Sequence, residues 1–140
     1  MIRRTVADLT EAQFYGNEWA GAGLLVGTVL SYGLNPSLPA YGSGLVPQLL
    51  IAQVSTAVLG VALWRRQWAQ HGWYPTFVPV VSIAPAVVPA YGGTVPAVLA
   101  GAVLGAVTGP PLAASIAKGL PVHIPPLVAN TMWRCGAGPR

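Results

Sequence analysis

The stretch LVPQLLIAQVSTAVLGVALWRRQW, residues 45–68, decides how this chain is read. From Leu45 to Trp64 it holds no charge, and it ends in an aromatic and basic boundary, Trp64-Arg65-Arg66-Gln67-Trp68. About 20 largely apolar residues are what a helix needs to cross ~30 Å of hydrocarbon. Trp favours the headgroup layer, and Arg reaches phosphates on a long apolar stem. The stretch predicts a membrane span over 45–64 with Trp64, Arg65, Arg66 and Trp68 at the interface.

The same poverty of charge extends outward on both sides. No Lys, Arg, Asp or Glu lies between Glu18 and Arg65 or between Arg66 and Lys118, gaps of 46 and 51 residues in a chain of 140. Only 7% of the residues are charged, 54% are hydrophobic, and the mean hydropathy is +0.59. A soluble domain would be about one-quarter charged. A water-facing surface is hard to build from this composition, so the solvent expected around most of the chain is lipid. The fold class expected is an all-α membrane protein with about four transmembrane helices. A transporter with two complete bundles does not fit in this length, which predicts either a homo-oligomer or association with other membrane subunits.

The net charge of +4 does not point to nucleic acid, because the seven basic residues form no patch or stripe. Their placement beside apolar segments fits the positive-inside pattern instead. Cys135 is the only cysteine, which excludes an intrachain disulfide.

Three further spans are expected. The first covers about 19–34, with Trp19 at its interface, and ends at Asn35-Pro36. Residues 1–18 before it read as an amphipathic surface segment, Ile2, Val6 and Leu9 on one face and Asp8, Glu11 and Glu18 turned away. Thr10-Glu11-Ala12-Gln13 has capping-box spacing and could start this helix. A signal peptide is the competing reading, opposed by the acids before the apolar run and by the absence of a small-residue cleavage site close behind it. The third span, about 74–90, contains Pro75, Pro79, Pro85 and Pro89. A proline in a helix interior costs about 3 kcal/mol, and Pro79 and Pro85 cannot both sit in one first turn. A kinked or discontinuous segment facing protein is expected. The fourth, about 94–117, contains Gly109-Pro110-Pro111, where a break or sharp kink is expected. Residues 118–140 follow as a C-terminal segment. Within it, Ile124–Met132 resembles the start of another span before the composition changes abruptly, which suggests a truncated or frameshifted frame.

Pro39-Ala40-Tyr41-Gly42 recurs fifty residues later as Pro89-Ala90-Tyr91-Gly92, each copy followed by a proline that suits a first helical turn, Pro47 and Pro96. The match is either chance in an Ala/Gly/Pro-rich chain or an internal repeat of loop plus helix, as in many secondary transporters. Four crossings with both termini cytoplasmic place all seven basic residues inside and make the repeats parallel.

Gly101, Gly105 and Gly109 form a ladder at every fourth position, extended upstream by Ala97 and Gly93, and Gly23 and Gly27 repeat the spacing. Such ladders let helix backbones approach closely, so packing is the favoured use. The proline breaks carry the sharper expectation: interrupted helices can present carbonyls to an ion or polar solute, with Ser82, Thr108 and Pro110 beside them. The plainer alternative is that the breaks shape the bundle or act as hinges. Gln48 and Gln53 lie in the second span, as interhelical bonds first and as solute contacts second. His71 and His123 read as interfacial residues. No metal site and no cofactor are expected, nor an enzyme: the chain holds no GxSxG, HExxH, Walker A or paired-Cys motif. The acids all lie within the first 18 residues, which makes proton coupling doubtful and leaves Glu18 its one candidate.

The leading expectation is a fragment or subunit of a permease in a bacterial inner membrane. The alternative is a scaffold or assembly subunit docking a partner through glycine-lined helices. A dual-topology exporter ranks third, because the one-sided basic residues oppose it.

Overall fold

The computed structural model describes residues 1–10, 17–37, 44–71 and 74–119. Within them the chain is helical, with no strand. The elements are α1 (Ile2–Ala7), α2 (Glu18–Leu34), α3 (Val46–Leu63), α4 (Arg65–His71), α5 (Val78–Val81), α6 (Ile83–Tyr91) and α7 (Val95–Lys118). The Pro39–Gly42 motif copy, His123, Cys135 and the apolar run 124–132 lie outside the described residues.

Two helices, α3 with 18 residues and α7 with 24, are long and apolar enough to cross a membrane. The other two expected spans are shorter. α2 has 17 residues, and Val78–Tyr91, broken in the middle, has 14. At 1.5 Å per residue the latter covers about 21 Å.

Start signals differ from the expected ones at α2. Its cap is Asn17, whose side-chain oxygen accepts from the amides of Trp19 and Ala20 at 3.0 and 2.8 Å. Glu18 then places an acid in the first turn, where the helix dipole favours it. The Thr10–Gln13 alternative falls partly outside the described residues, and Thr10 itself donates to the carbonyl of Ala7. α3 and α7 both begin Val-Pro, and each follows a glycine at positive φ, Gly44 at 65° and Gly92 at 81°. Proline in a first turn loses no helical bond.

α3 and α7 run parallel. Their starts are adjacent, since a Cβ on Gly93 would lie 2.8 Å from Gln48 Cγ and from Leu45 Cδ2. Farther along, Trp64 reaches Ala106. α5 and α6 run antiparallel to both: Gly60 faces Thr76, Gln53 meets Val80, and Val88 packs with Ala52 and Val98. The broken segment therefore returns to the end where α3 began. The core is made mostly of small residues, Ala52, Ala84, Val88 and Val98 in one cluster and Val78 and Ala113 with the larger Phe77 in another.

The prolines of this segment explain its break. α5 ends at Val81, Ser82 takes φ −126° and ψ −69°, and α6 starts at Ile83. The interruption creates two first turns instead of one. Pro79 occupies the second position of α5 and Pro85 the third of α6, so neither amide was needed by its own helix. α7 differs from expectation: it continues through Pro110 and Pro111 as a single helix to Lys118. The lost donor is replaced from outside, as described next.

The amino-terminal segment also departs from its expected pattern. Asp8, expected to face away from the buried side, is fully buried, whereas Ile2 is 82% exposed. The reason is an ion pair, Arg4 Nε to Asp8 Oδ1 at 3.0 Å, one helical turn apart.

Candidate functional site at the helix break

The break is held by side chains. Ser82 Oγ donates to the carbonyl of Val78, replacing the backbone bond that its own non-helical amide no longer makes. Gln53 Nε2 on α3 donates to the carbonyl of Val80 at 3.2 Å. On the other side of the break, the Ala86 amide donates to the Ser82 carbonyl at 3.2 Å. Ser82 and Gln53 are thus brought together around one interruption, each spending a donor on it.

The glycine ladder receives this segment. A Cβ at Gly101 would lie 3.1 Å from Val87 Cβ, at Gly105 3.2 Å from Pro79 Cβ, and at Gly109 2.9 Å from Pro79 Cβ. Ala97, Gly101, Gly105 and Gly109 are all buried. The helix that lies in the ladder belongs to the same chain, and the ring of Pro79 fills the space that two glycines leave open. Gly23 and Gly27 are placed otherwise. Both are exposed on α2, with no atom within 4 Å of an added Cβ.

Pro110 removes the amide that would bond the Ala106 carbonyl. That carbonyl accepts from Trp64 Nε1 at 2.8 Å. Sequence reasoning placed Trp64 at an interface and missed this bond, because nothing local to either residue signals the other. Trp68 Nε1 turns back to the carbonyl of Val61 at 3.0 Å, and Trp64 lies against Tyr74 with ring centroids 5.5 Å apart. Arg65, Arg66 and Trp19 are exposed.

The remaining candidates stand apart. Thr108 is exposed on the outward side of α7, its hydroxyl bonded to Leu104 at 2.7 Å. Gln48 lies at the other end of α3 beside Gly93, its amide oxygen buried without a hydrogen-bond donor. Next to the break is a small apolar crevice lined by Val78, Ile83, Gly109, Leu112 and Ala113. Among the described residues no group of three or more His, Cys, Asp or Glu is assembled.

A second polar centre was also missed. Arg4 Nη2 donates to the carbonyl of Tyr74 at 3.0 Å and to Thr76 Oγ1 at 3.4 Å. The i,i+4 spacing of Arg4 and Asp8 was the available signal. At its neighbour, Arg3 pairs with Glu18, and its Nε lies 2.8 Å from Glu18 Oε1. A bond from its own backbone amide and then the Arg3 guanidinium hold the Glu18 carboxyl below its ordinary range.

Comparison with protein families, curated proteins and solved structures gives no match for this chain. The functional reading rests on its own residues.

Proposed function

We propose that this chain is a multi-pass integral membrane protein forming a subunit or fragment of a permease. The observation that supports membrane residence is the outward face of its two long helices. Ile51, Val54, Val58 and Leu63 on α3, and Leu99, Val103, Leu104, Val107 and Leu112 on α7, are exposed. A surface helix of a soluble protein turns polar residues outward, whereas the outward faces of these helices are largely apolar. With about 25 cal/mol per Å2 of apolar area at stake, such a surface belongs in hydrocarbon.

The basic residues support one orientation. Arg4 reaches Tyr74, Arg3 beside it pairs with Glu18, Arg65 and Arg66 follow the end of α3, and Lys118 ends α7, all at one end of the bundle. By the positive-inside rule that end faces the cytoplasm, in a bacterial inner membrane. α2 supplies the remaining crossing and lies chiefly against α1.

The permease reading is supported by the discontinuous segment cradled between two parallel helices, an arrangement that transporters use to build solute sites. In this reading Ser82 and Gln53 exchange their bonds to Val78 and Val80 for bonds to a polar solute when the break moves. The scaffold reading has its own support. The side-chain donors of Ser82 and Gln53 at the break are already bonded to protein carbonyls, and Thr108 faces outward. Uptake of a labelled solute panel into proteoliposomes separates them. Ser82→Ala should insert normally and lose uptake of at least one solute. A variant series without any solute phenotype, with Gly105→Leu abolishing assembly, supports the scaffold. Recovery of the wild-type chain as a monodisperse detergent-free species would sink both.

A further inference from the structure

Pro110 and Pro111 together leave one carbonyl of α7 without a helical donor. A helical carbonyl accepts from the amide four residues on, or three on where the turn tightens. For Ala106 these positions are Pro110, which has no N–H, and Gly109, which has one. For Val107 they are Pro111 and Pro110, and neither has one. Trp64 serves the Ala106 carbonyl, but among the described residues no side chain serves that of Val107. Val107 is 47% exposed, on the outward stripe of α7 that also carries Leu99, Val103, Leu104, Thr108 and Leu112. It stands near the middle of the helix, about 17 Å from either end at 1.5 Å per residue. In a spanning helix that is the bilayer midplane, where no water satisfies a carbonyl.

We propose that two copies of this chain dimerise through this face of α7, the Thr108 hydroxyl of each donating to the Val107 carbonyl of the other. The donor is at hand. Thr108 Oγ1 donates to the Leu104 carbonyl at 2.7 Å, but that carbonyl already has the Thr108 amide as its helical partner. The hydroxyl is therefore free to leave without orphaning it. Thr108 is exposed and follows Val107 directly, so donor and acceptor lie at one depth. Two copies inserted under the same positive-inside rule share one orientation, and a two-fold axis between them runs along the membrane normal. Residues of equal depth then meet across that axis, which pairs each hydroxyl with the opposite carbonyl and makes two bonds at once. A lipid tail offers no donor, and Ser115, the other exposed hydroxyl of this helix, lies about 12 Å farther along. The inference rests on the membrane reading alone and needs no transported solute.

The test follows the dimer in lipid vesicles, using the full chain with Cys135→Ser and one reporter cysteine. Under a mild oxidant Leu104→Cys should cross-link, whereas Val58→Cys on α3 and Val26→Cys on α2, both exposed, should not. Dissociation constants come from energy transfer between labelled copies as added lipid dilutes them. Thr108→Val keeps the shape of the side chain and should raise the constant about tenfold or more, since two interhelical bonds are lost together. Pro111→Ala gives the Val107 carbonyl an amide of its own and should weaken the dimer likewise. Adding Thr108→Val to Pro111→Ala should then change nothing further. Cross-linking at Val26 or Val58 without Leu104, an unchanged constant in Thr108→Val, or additive losses in the double variant would overturn the proposal. Carbonate extraction separates the two levels. A chain that leaves the membrane sinks the membrane reading and the dimer together, and an inserted monomer sinks the dimer alone.

Discussion

Trp64 Nε1 donates to the carbonyl of Ala106 at 2.8 Å, and Ala106 is the residue whose helical donor Pro110 deletes. An indole from a parallel helix replaces an amide missing from α7. Both halves of this repair are specific. The carbonyl is available because a proline stands four residues later, and Trp is a donor without being an acceptor.

Removing the donor should therefore be costly only while the proline remains. Trp64→Phe leaves a buried carbonyl unpaired and should destabilise the fold by about 1–3 kcal/mol. Pro110→Ala returns an amide to Ala106, so the double variant should recover most of that loss. Reversible unfolding of all four proteins in one detergent measures the coupling. Additive effects would show that the indole bond is not compensating for the proline.

The glycines should separate into two classes. Gly109→Ala drives a Cβ to 2.9 Å from Pro79, a contact that real side chains do not make, and should lower the melting temperature clearly. Gly101→Ala and Gly105→Ala, at 3.1 and 3.2 Å, should follow with smaller losses. Gly23→Ala and Gly27→Ala meet no atom and should be neutral, or stabilising by up to about 1 kcal/mol through helix propensity. Thermal melts in detergent order the series. If these two variants instead weaken self-association at unchanged monomer stability, α2 carries an interface between copies.

The difference between those glycines was only half legible. Spacing alone identifies both ladders, since Gly23 and Gly27 look like Gly101 and Gly105 in sequence. Only the fold shows that the ring of Pro79 lies in one ladder. Helix extents were written plainly in the apolar runs, and α3 and α7 fall within a residue or so of the expected segments. The prolines were harder. Pro79 and Pro85 signalled a broken segment, but its division into two helices, each with a proline in its first turn, depends on how Ser82 is held. Pro110 carried the same local signal and had the opposite outcome, because its compensation came from Trp64, 46 positions away in sequence. Asp8 was misplaced for a related reason: a helical wheel assigns a carboxylate outward unless its counter-charge and burial are known.

Glu18 supplies a pH dependence of defined sign. Its carboxyl is held below the ordinary range by its own amide and by Arg3, so the stabilisation is complete above that range and disappears as pH falls through the folded value. The tie between α1 and α2 at this point should survive mild acid and fail only in stronger acid. Carbon-detected titration of the Glu18 carboxyl should give a midpoint below that of the same residue in an unfolded peptide. Arg3→Gln should move the midpoint upward. An unmoved midpoint would show that Arg3 contributes nothing to it.

Gln53 and Ser82 provide the most direct probe of the break itself. Gln53→Leu keeps the bulk of the side chain and removes the donor to Val80, leaving a carbonyl in an apolar setting. An interhelical bond of this kind contributes roughly 0.6–2 kcal/mol in a membrane. Ser82→Ala removes the bond to Val78, which lies within its own segment and does not join two helices. Gln53→Leu should therefore loosen α3 from α5, raising amide exchange at Val80 and Val81, both bonded to the Phe77 carbonyl. Ser82→Ala should act at the break alone, freeing the Ala86 amide while leaving the α3 amides protected. Exchange measured residue by residue distinguishes the two patterns. Identical patterns would mean that the interruption opens as one unit, with Ser82 and Gln53 acting on a single two-state hinge.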